Sequence, residues 1–367
     1  MSELQKLPVD PKKTETITIL KAENKASKAL AELKGIAQVI PNQFILINAV
    51  VLQESQDSSE IENIITTKDE LYKALSETVK KVDSATKEVM FYREALYAGF
   101  AELKKHHFIS INDIDCIVSA SAVGIQPIPC MAALIHEKIA KGTSIPALDI
   151  NTTCTSFITA LDTMSYLLDV GRYKRVLIVS CDVASRALNP KQKESFQLFS
   201  DGAVAFIIEK TDEEIGVIDA MQKTWSEGAH STEIRGGLSN FHPENYSENT
   251  KEEFMFDMCG KTILALSMKN IPKMMKEFLE NNNMKKSEID MVVPHQASVA
   301  MPLVMEKLGV PKGKYIDEVK EFGNMVSASV PMTLAHALEK QKIKNGDIIL
   351  LIGTAAGLTT NMMLIKI

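Results

Sequence analysis

The stretch Ala147-Leu148-Asp149-Ile150-Asn151-Thr152-Thr153-Cys154-Thr155-Ser156-Phe157 changes character twice within a few residues. Its opening, Ala147–Ile150, reads as a strand. A polar run, Asn151-Thr152-Thr153, stops it. From Phe157 the apolar positions Phe157, Leu161, Met164 and Leu168 recur at helical spacing. A strand that breaks into an amphipathic helix is the building block of an α/β sheet. The break leaves Cys154 at the strand-to-helix turn. Free N–H groups and the positive end of the helix lie there, and both favour a thiolate, so the placement predicts a lowered thiol pKa.

Working outward, the same alternation continues. Strands are expected at Cys116–Ala120, Arg175–Ser180 and Ala203–Glu209, with a helix at Pro129–Ala140. Further on come a helix at Ile263–Asn281, a strand at Ile289–Val293, helices at Val299–Leu308 and Val330–Gln341, and strands at Asp347–Ile352 and Asn361–Ile367. This order predicts mostly parallel sheet with helices on both faces, in two similar α/β halves joined near residues 210–220. Residues 222–252 hold Trp225, Gly236-Gly237 and Pro243 and read as a long loop. Upstream, residues 1–33 read as an extension, helical around Ala26–Leu33. Gly35–Ile40 reads as a strand, residues 53–84 as polar and helix-forming, and Ala85–Lys105 as a helix.

Composition narrows the function classes. The chain has 367 residues, 45% hydrophobic and 24% charged, as in ordinary globular proteins. Its net charge of −6 argues against a nucleic-acid partner, which needs a basic face. Five widely spaced cysteines without a CxxC pair suggest neither a zinc ribbon nor a disulfide framework, and fit a reduced, cytoplasmic protein. No apolar run reaches the ~20 residues of a membrane span, and the first residues lack the pattern of a signal peptide.

Two further residues are candidates for chemistry. His295, in Val293-Pro294-His295-Gln296-Ala297, follows a strand, where ligands gather in open α/β sheets. Asn324, in Phe322-Gly323-Asn324, precedes a helix and taken alone is an ordinary cap. The run Gly353-Thr354-Ala355-Ala356-Gly357 follows a buried strand, and its small residues let backbone N–H groups approach a ligand. It is not followed by Lys-Ser/Thr, so it is no Walker A loop. His136 and His336 fall inside helices, and His106, His107 and His242 in polar stretches. These read as structural or solvated.

Taken together, Asp149–Phe157, Ser180-Cys181-Asp182-Val183-Ala184-Ser185-Arg186, Phe199-Ser200-Asp201-Gly202-Ala203, Val293–Ala297, Gly323-Asn324 and Gly353–Leu358 resemble the β-ketoacyl-acyl-carrier-protein synthase III group of condensing enzymes, within the thiolase superfamily. The resemblance runs over about residues 110–367. It implies a thiolase-like fold: two pseudo-equivalent α/β halves in a five-layered α-β-α-β-α arrangement. The corresponding division is an extension (1–33), a first half carrying the nucleophile (34–212) and a second half carrying His and Asn (213–367). It further implies a homodimer.

The resemblance also implies roles. Cys154 would take an acyl group from acyl-CoA or acyl carrier protein. His295 and Asn324 would stabilise the enolate formed as a malonyl thioester loses CO₂. Backbone N–H groups of Cys154 and Ala356 would form the oxyanion hole. No metal or redox cofactor is implied, because decarboxylation supplies the carbanion. Substrate-binding positions would be Arg186 at the entrance, and Ile128, Phe157 and Ser156 around the acyl pocket. Here Ser156 and Ala355-Ala356 replace the family's small glycines. Ile128 stands where a bulky pocket-closing Phe is common. The only tryptophan, Trp225, does not match the family's nucleotide clamp.

Three functions compete. The leading one is decarboxylative condensation in fatty-acid or specialised lipid or polyketide synthesis. The second is acyl transfer to an O, N or S nucleophile, or non-decarboxylative condensation, the latter with Glu137 or Glu194 as the base. The third is a non-catalytic partner subunit, disfavoured because Cys154, His295 and Asn324 are all retained.

Overall fold

The computed structural model describes residues 16–37, 50–57, 59, 64–75, 83–105 and 109–367. The chain divides into two units, Met1–Phe108 and Ile109–Ile367.

In the first unit the run Ala26–Leu33 is rich in Ala, Leu, Lys and Glu, all strong helix formers. It lies within a helix, Ile17–Ala37. Further helices cover 50–57, Lys68–Leu75 and Ser84–Lys105. Leu52, Leu71 and Val89 form a small buried cluster, with the Thr66 and Thr86 hydroxyls 2.6 Å apart. No strand occurs among the described residues of this unit. The strand expected at Gly35–Ile40 is therefore corrected: Gly35–Ala37 finish the helix, and 38–40 lie outside the described residues. The described residues within 34–108, a span expected to open the thiolase-like half, fall in this first unit instead.

The second unit is built on two four-stranded sheets. The first runs β2-β1-β3-β4, with β1 Cys116–Ser119, β2 Ala147–Asp149, β3 Arg175–Val183 and β4 Asp201–Glu209. The second runs β5-β10-β9-β8, with β5 Gly216–Thr224, β8 Met291–Pro294, β9 Ile348–Ala355 and β10 Thr359–Lys366. A small ribbon pairs β6 (Thr232–Glu233) with β7 (Asp257–Met258). The helices are α1 Met131–Ile139, α2 Ser156–Asp169, α3 Lys193–Leu198, α4 Gly260–Asn281, α5 Met301–Leu308, α6 Val319–Phe322 and α7 Ser329–Glu339.

The two sheets repeat one pattern. β1 is parallel to β3, and β3 antiparallel to β4. Likewise β8 is parallel to β9, and β9 antiparallel to β10. Beyond that the halves differ. β5 pairs with the far edge of β10, whereas β4 is an edge strand among the described residues.

Burial sets the layers. Phe157, Ala160, Met164 and Leu168 of α2 and Val330, Leu334 and Ala337 of α7 pack between the sheets, against Val118 and Ile178 on one side and Leu351 and Met363 on the other. Outside the second sheet, Ile271, Met274, Met275 and Phe278 of α4 and Met301, Met305 and Leu308 of α5 cover Val292, Leu350, Met362 and Leu364. Outside the first sheet, α1 lies over β1 and β2. The order is α-β-α-β-α. It follows from strands apolar on both faces, as the unbroken burial of β10 illustrates. No helix among the described residues is long and apolar enough to cross a membrane.

Candidate active site

The C-terminal ends of β1, β2, β8 and β9 open on one cavity of about 940 Å³. Cys154, His295, Asn324 and Ala356 all border it. Four loops, distant in sequence, thus bring the predicted residues together.

Cys154 sits in a 3₁₀ turn, Thr153–Thr155, between β2 and α2. Thr153 has φ +51°, a strained conformation for a β-branched residue. The turn is held by neighbouring side chains. Asn151 Oδ1 accepts from Thr153 N at 2.8 Å. Ser156 Oγ donates to Thr153 O at 2.6 Å and accepts from Thr152 N at 3.0 Å. The expected lowering of the thiol pKa is corrected. Cys154 is half-buried by surface area because it borders the cavity, yet its thiol lies deep within protein. Burial pushes it up to about 12, and the nearby Asp182 carboxylate adds to the rise. The N–H groups of Ala356 and of Cys154 itself point at the sulfur and act in the opposite sense. Desolvation is the largest effect here and outweighs those hydrogen bonds.

His295 continues the β8–β9 ladder, its N–H donating to Ile352 O at 2.7 Å. It is 5% exposed, and burial pushes its pKa down to about 4. The ring is therefore neutral at pH 7. Nδ1 has no hydrogen-bond partner among the described residues, so the protein leaves the tautomer open. Gly353 makes the convergence possible. A Cβ there would meet Thr155 Cγ2 at 2.8 Å and His295 Cβ at 3.2 Å, so only glycine lets β9 pass between the two loops.

Asn324 follows Gly323, whose φ is +70°. It is 3% exposed. Its Nδ2 donates to Ala297 O at 3.3 Å, and its Oδ1 accepts from Val326 N at 2.9 Å. The side chain is thereby tied to the loop that carries His295.

Two residues that tie these loops together carry no signal as sites in sequence. Gln296, fully buried, donates to Pro294 O at 2.8 Å and to Ile316 O at 3.2 Å, and accepts from Glu318 N at 2.8 Å. It links the His295 loop to the start of α6, which leads to Asn324. Asp182, 2% exposed at the end of β3, accepts from Ala122 N at 3.1 Å, Val123 N at 2.9 Å and Ser327 N at 3.1 Å, and from Ser327 Oγ. It pins the loop after β1 to the turn after Asn324. Both occur in the quoted motifs, but a buried polar residue at a strand end looks like any other polar residue in a single sequence.

The expected substrate-binding residues separate. Phe157 is 2% exposed and packs in a tilted arrangement against Phe206, ring centroids 5.1 Å apart. Ser156 is fully buried and occupied with the turn. Both belong to the core face of α2 and not to the cavity wall, which corrects those two assignments. Arg186 is exposed in the turn Ala184–Arg186, outside the lining. Ile128 is 84% exposed and does not border the cavity, although Ile125, Pro127 and Pro129 do. Glu194 borders the cavity; Glu137 does not. His136 meets Thr143 and His336 meets Glu318, structural contacts as expected.

Comparison with known proteins adds an independent line. Residues 148–225 match the family described as 3-oxoacyl-[acyl-carrier-protein (ACP)] synthase III, and residues 279–367 match its C-terminal family. Residues 20–101 match a different family, the Fic/DOC family N-terminal. A β-ketoacyl-[acyl-carrier-protein] synthase III from Clostridium perfringens is 32% identical over 260 residues, 71% of this chain and 79% of the relative. The same enzyme from Oceanobacillus iheyensis is 27% identical over 303 residues, 82% of this chain and 91% of the relative. The crystal structure of 3-oxoacyl-[acyl-carrier-protein] synthase III from Aquifex aeolicus superposes with a TM-score of 0.63 at 25% identity, covering 72% of this chain and 80% of that one. The layered sheets and the identity over most of a relative's length place this chain in the β-ketoacyl-acyl-carrier-protein synthase III family, condensing enzymes of the thiolase superfamily.

Proposed function

We propose that this protein catalyses decarboxylative Claisen condensation through an acyl-Cys154 intermediate. The observation that carries the reading is convergence: one cavity joins a cysteine at a helix start, two N–H groups aimed at its sulfur, a neutral buried histidine and a buried asparagine. The names borne by the relatives support the same chemistry.

In the first half-reaction Cys154 Sγ attacks the thioester carbonyl. The N–H groups of Cys154 and Ala356 hold the oxyanion, the carrier thiol leaves, and the thiol proton leaves with it. In the second, a malonyl-type thioester loses CO₂. His295 and Asn324 donate hydrogen bonds to its thioester oxygen, and the resulting enolate carbon attacks the acyl carbonyl. The carbon–sulfur bond to Cys154 breaks, and the sulfur regains a proton. The carbanion comes from the departing carboxylate, so this route calls for no metal or redox cofactor. The acyl donor is acyl-CoA or acyl carrier protein, and the protein works in the cytoplasm.

The test is intact-mass measurement after incubation with a panel of acyl thioesters, followed by CO₂ release from malonyl thioester. Wild type gains one acyl group, and Cys154→Ala gains none. Asn324→Ala acylates but releases CO₂ about 100- to 1,000-fold more slowly, the loss typical of one oxyanion donor. Label on another cysteine in Cys154→Ala would sink the assignment. An acylated wild type that releases no CO₂ would point to acyl transfer or non-decarboxylative condensation, for which Glu194 borders the cavity.

A further inference from the structure

Thr153, the residue before Cys154, carries a side chain that the condensing scheme leaves unused. Its φ of +51° lies in the left-handed region, which is unfavourable for a β-branched residue. Glycine or asparagine adopts that conformation at lower cost. Both backbone groups of Thr153 are occupied. Its N–H donates to Asn151 Oδ1 at 2.8 Å, and its carbonyl accepts from Ser156 Oγ at 2.6 Å. These bonds fix the turn without help from the Thr153 side chain. The Thr153 hydroxyl, by contrast, is buried and has no hydrogen-bond partner among the described residues. A buried unpaired hydroxyl is costly, and so is the backbone strain. Two costs meet on one side chain next to the reacting cysteine.

Position says what that hydroxyl serves. Thr153 borders the cavity together with Cys154. Its hydroxyl lies close to the Cys154 sulfur and favours the anion there, in the same sense as the N–H groups of Ala356 and Cys154. These donors work against burial and against the Asp182 carboxylate, which together hold the thiol neutral. The other titratable or charged side chains bordering the cavity are His295, Cys130, Asp149, Glu194, Glu233 and Lys261. His295 is held neutral by burial. Asp149 accepts from Met131 N and Ala132 N, and Glu233 binds Arg235. Around the neutral thiol the Thr153 hydroxyl makes no closed hydrogen bond. Bonds to catalytic groups often tighten only once charge develops.

We propose that Thr153 is a further catalytic residue, whose hydroxyl donates a hydrogen bond to Cys154 Sγ whenever that sulfur carries negative charge. On the condensing reading, on which this role rests, that happens twice. In the first half-reaction the sulfur gains charge as its proton departs towards the carrier thiol and its electron pair bonds to the acyl carbonyl. In the second, the carbon–sulfur bond breaks and the electron pair returns to the sulfur before it regains a proton. The Thr153 hydroxyl keeps its own proton in both steps, so the balance of the condensation is unchanged. A donor reserved for the anion has no other partner in the resting protein, which accounts for the orphan hydroxyl. The strain persists because Asn151 and Ser156 hold the turn.

Thiol alkylation tests the role without any substrate, because iodoacetamide reacts with the thiolate. The rate at Cys154 is followed by peptide mass in the full chain, since Cys130 and Cys259 are exposed and react as well. Thr153→Val keeps the β-branched shape and removes the hydroxyl. It is expected to slow alkylation of Cys154 about three- to tenfold at each pH from about 7 to 9. A hydrogen bond to a charged group is worth roughly tenfold or more in thiolate population, and the higher nucleophilicity of a more basic thiolate offsets about half of that on a logarithmic scale. Thr153→Ser restores the hydroxyl and should recover the wild-type rate to within about twofold. Acylation of Thr153→Val by acetyl-CoA should lose kcat and not gain KM. CO₂ release from malonyl-CoA does not involve the sulfur, so an equal loss there would mark general damage to the site and overturn the role. Where Thr153→Val does not fold, Thr153→Ala, which also lacks the hydroxyl, takes its place. Wild-type alkylation in the variant without the hydroxyl, or Thr153→Ser as slow as that variant, overturns the proposal. Failure of the condensing reading looks different: no acyl-Cys154 from any thioester, whatever the alkylation rates.

Discussion

A neutral thiol and a neutral imidazole face the same cavity, and burial accounts for both. For His295 this has a consequence for stability with a definite sign. Its folded pKa of about 4 lies below the ordinary value near 6.5. Between those values the unfolded chain binds a proton that the native protein refuses. The group's contribution is therefore complete above pH 6.5, drains away as pH falls towards 4, and is constant below that. A His295→Gln variant lacks this titration. The stability difference between wild type and variant should shift against wild type across pH 6.5 to 4, by on the order of 3 kcal/mol. Urea unfolding of both proteins at several pH values measures it, and parallel pH curves would show that the histidine is not buried neutral. Asp182 makes a second residue-scale case. Its carboxylate is the acceptor for three backbone N–H groups and one hydroxyl in a buried place. Asp182→Asn puts an amide NH₂ among donors and leaves some of them unmatched. We expect a loss of about 3 kcal/mol in urea unfolding; a change below 0.5 kcal/mol, on the order of ordinary surface substitutions, would mean the loops are held by other contacts. Thr153 and Val326, with φ +51° and +53°, are the strained β-branched residues at either end of this knot. Strain of that kind, about 1–3 kcal/mol each, persists only where neighbouring bonds over-determine the turn.

At the scale of elements, the cavity wall formed by residues 232–258 has little regular structure and is held by charge. Arg235 is bound by Glu233 at 2.9 Å, by Asp257 at 2.8 Å and by Glu253, and Gln192 donates to Asp257 at 2.6 Å. Glu233, Gly236, Gly237 and Met258 border the cavity, so this cluster sets its outer wall. Arg235→Leu leaves three carboxylates together without a cation. It should cost about 1–2 kcal/mol at this partial exposure, and backbone hydrogen exchange should speed up across 232–258. Unchanged exchange there would count against the latch. Which elements were legible follows from pattern strength. β3, β9, β10, α2, α4 and α7 have apolar runs or stripes and lie within a few residues of expectation. β5 was missed. Its sequence, Gly-Val-Ile-Asp-Ala-Met-Gln-Lys-Thr, is mixed in polarity because its residues are only partly buried, and it looked like a linker. The supposed strand at Gly35–Ile40 failed the other way, since Gly35-Ile36-Ala37 is apolar but continues a helix begun by stronger neighbours. Cys154, His295 and Asn324 were legible through their motifs. Phe157 and Ser156 were misread as pocket residues because sequence adjacency to Cys154 does not say which side of a helix faces the cavity.

For the whole molecule, the loop Gly124–Pro129 is the feature that calls for a partner. Val123, Ile125 and Ile128 are 57%, 67% and 84% exposed. Ile125 also borders the cavity, whereas Ile128 does not. A rigid apolar tip left in water is usually covered by a partner, and the loop has two prolines that fix its backbone. The 84% exposure of Ile128 disfavours the alternative in which it folds back onto its own subunit. The reading that fits is a homodimer in which each loop reaches the neighbouring cavity and Ile128 borders the partner's acyl pocket. Two results follow from one experiment series. Sedimentation at micromolar concentration should give a dimer. Ile128→Phe should shorten the longest acyl chain transferred to Cys154 while acetyl transfer continues, because a larger side chain fills the far end of the pocket and leaves the near end open. Since each buried CH₂ is worth about 0.8 kcal/mol, excluding two methylenes should lower transfer of the longest chain by roughly tenfold. A monomer would defeat the dimer, and an unchanged chain-length profile in a dimeric Ile128→Phe would place the acyl pocket elsewhere.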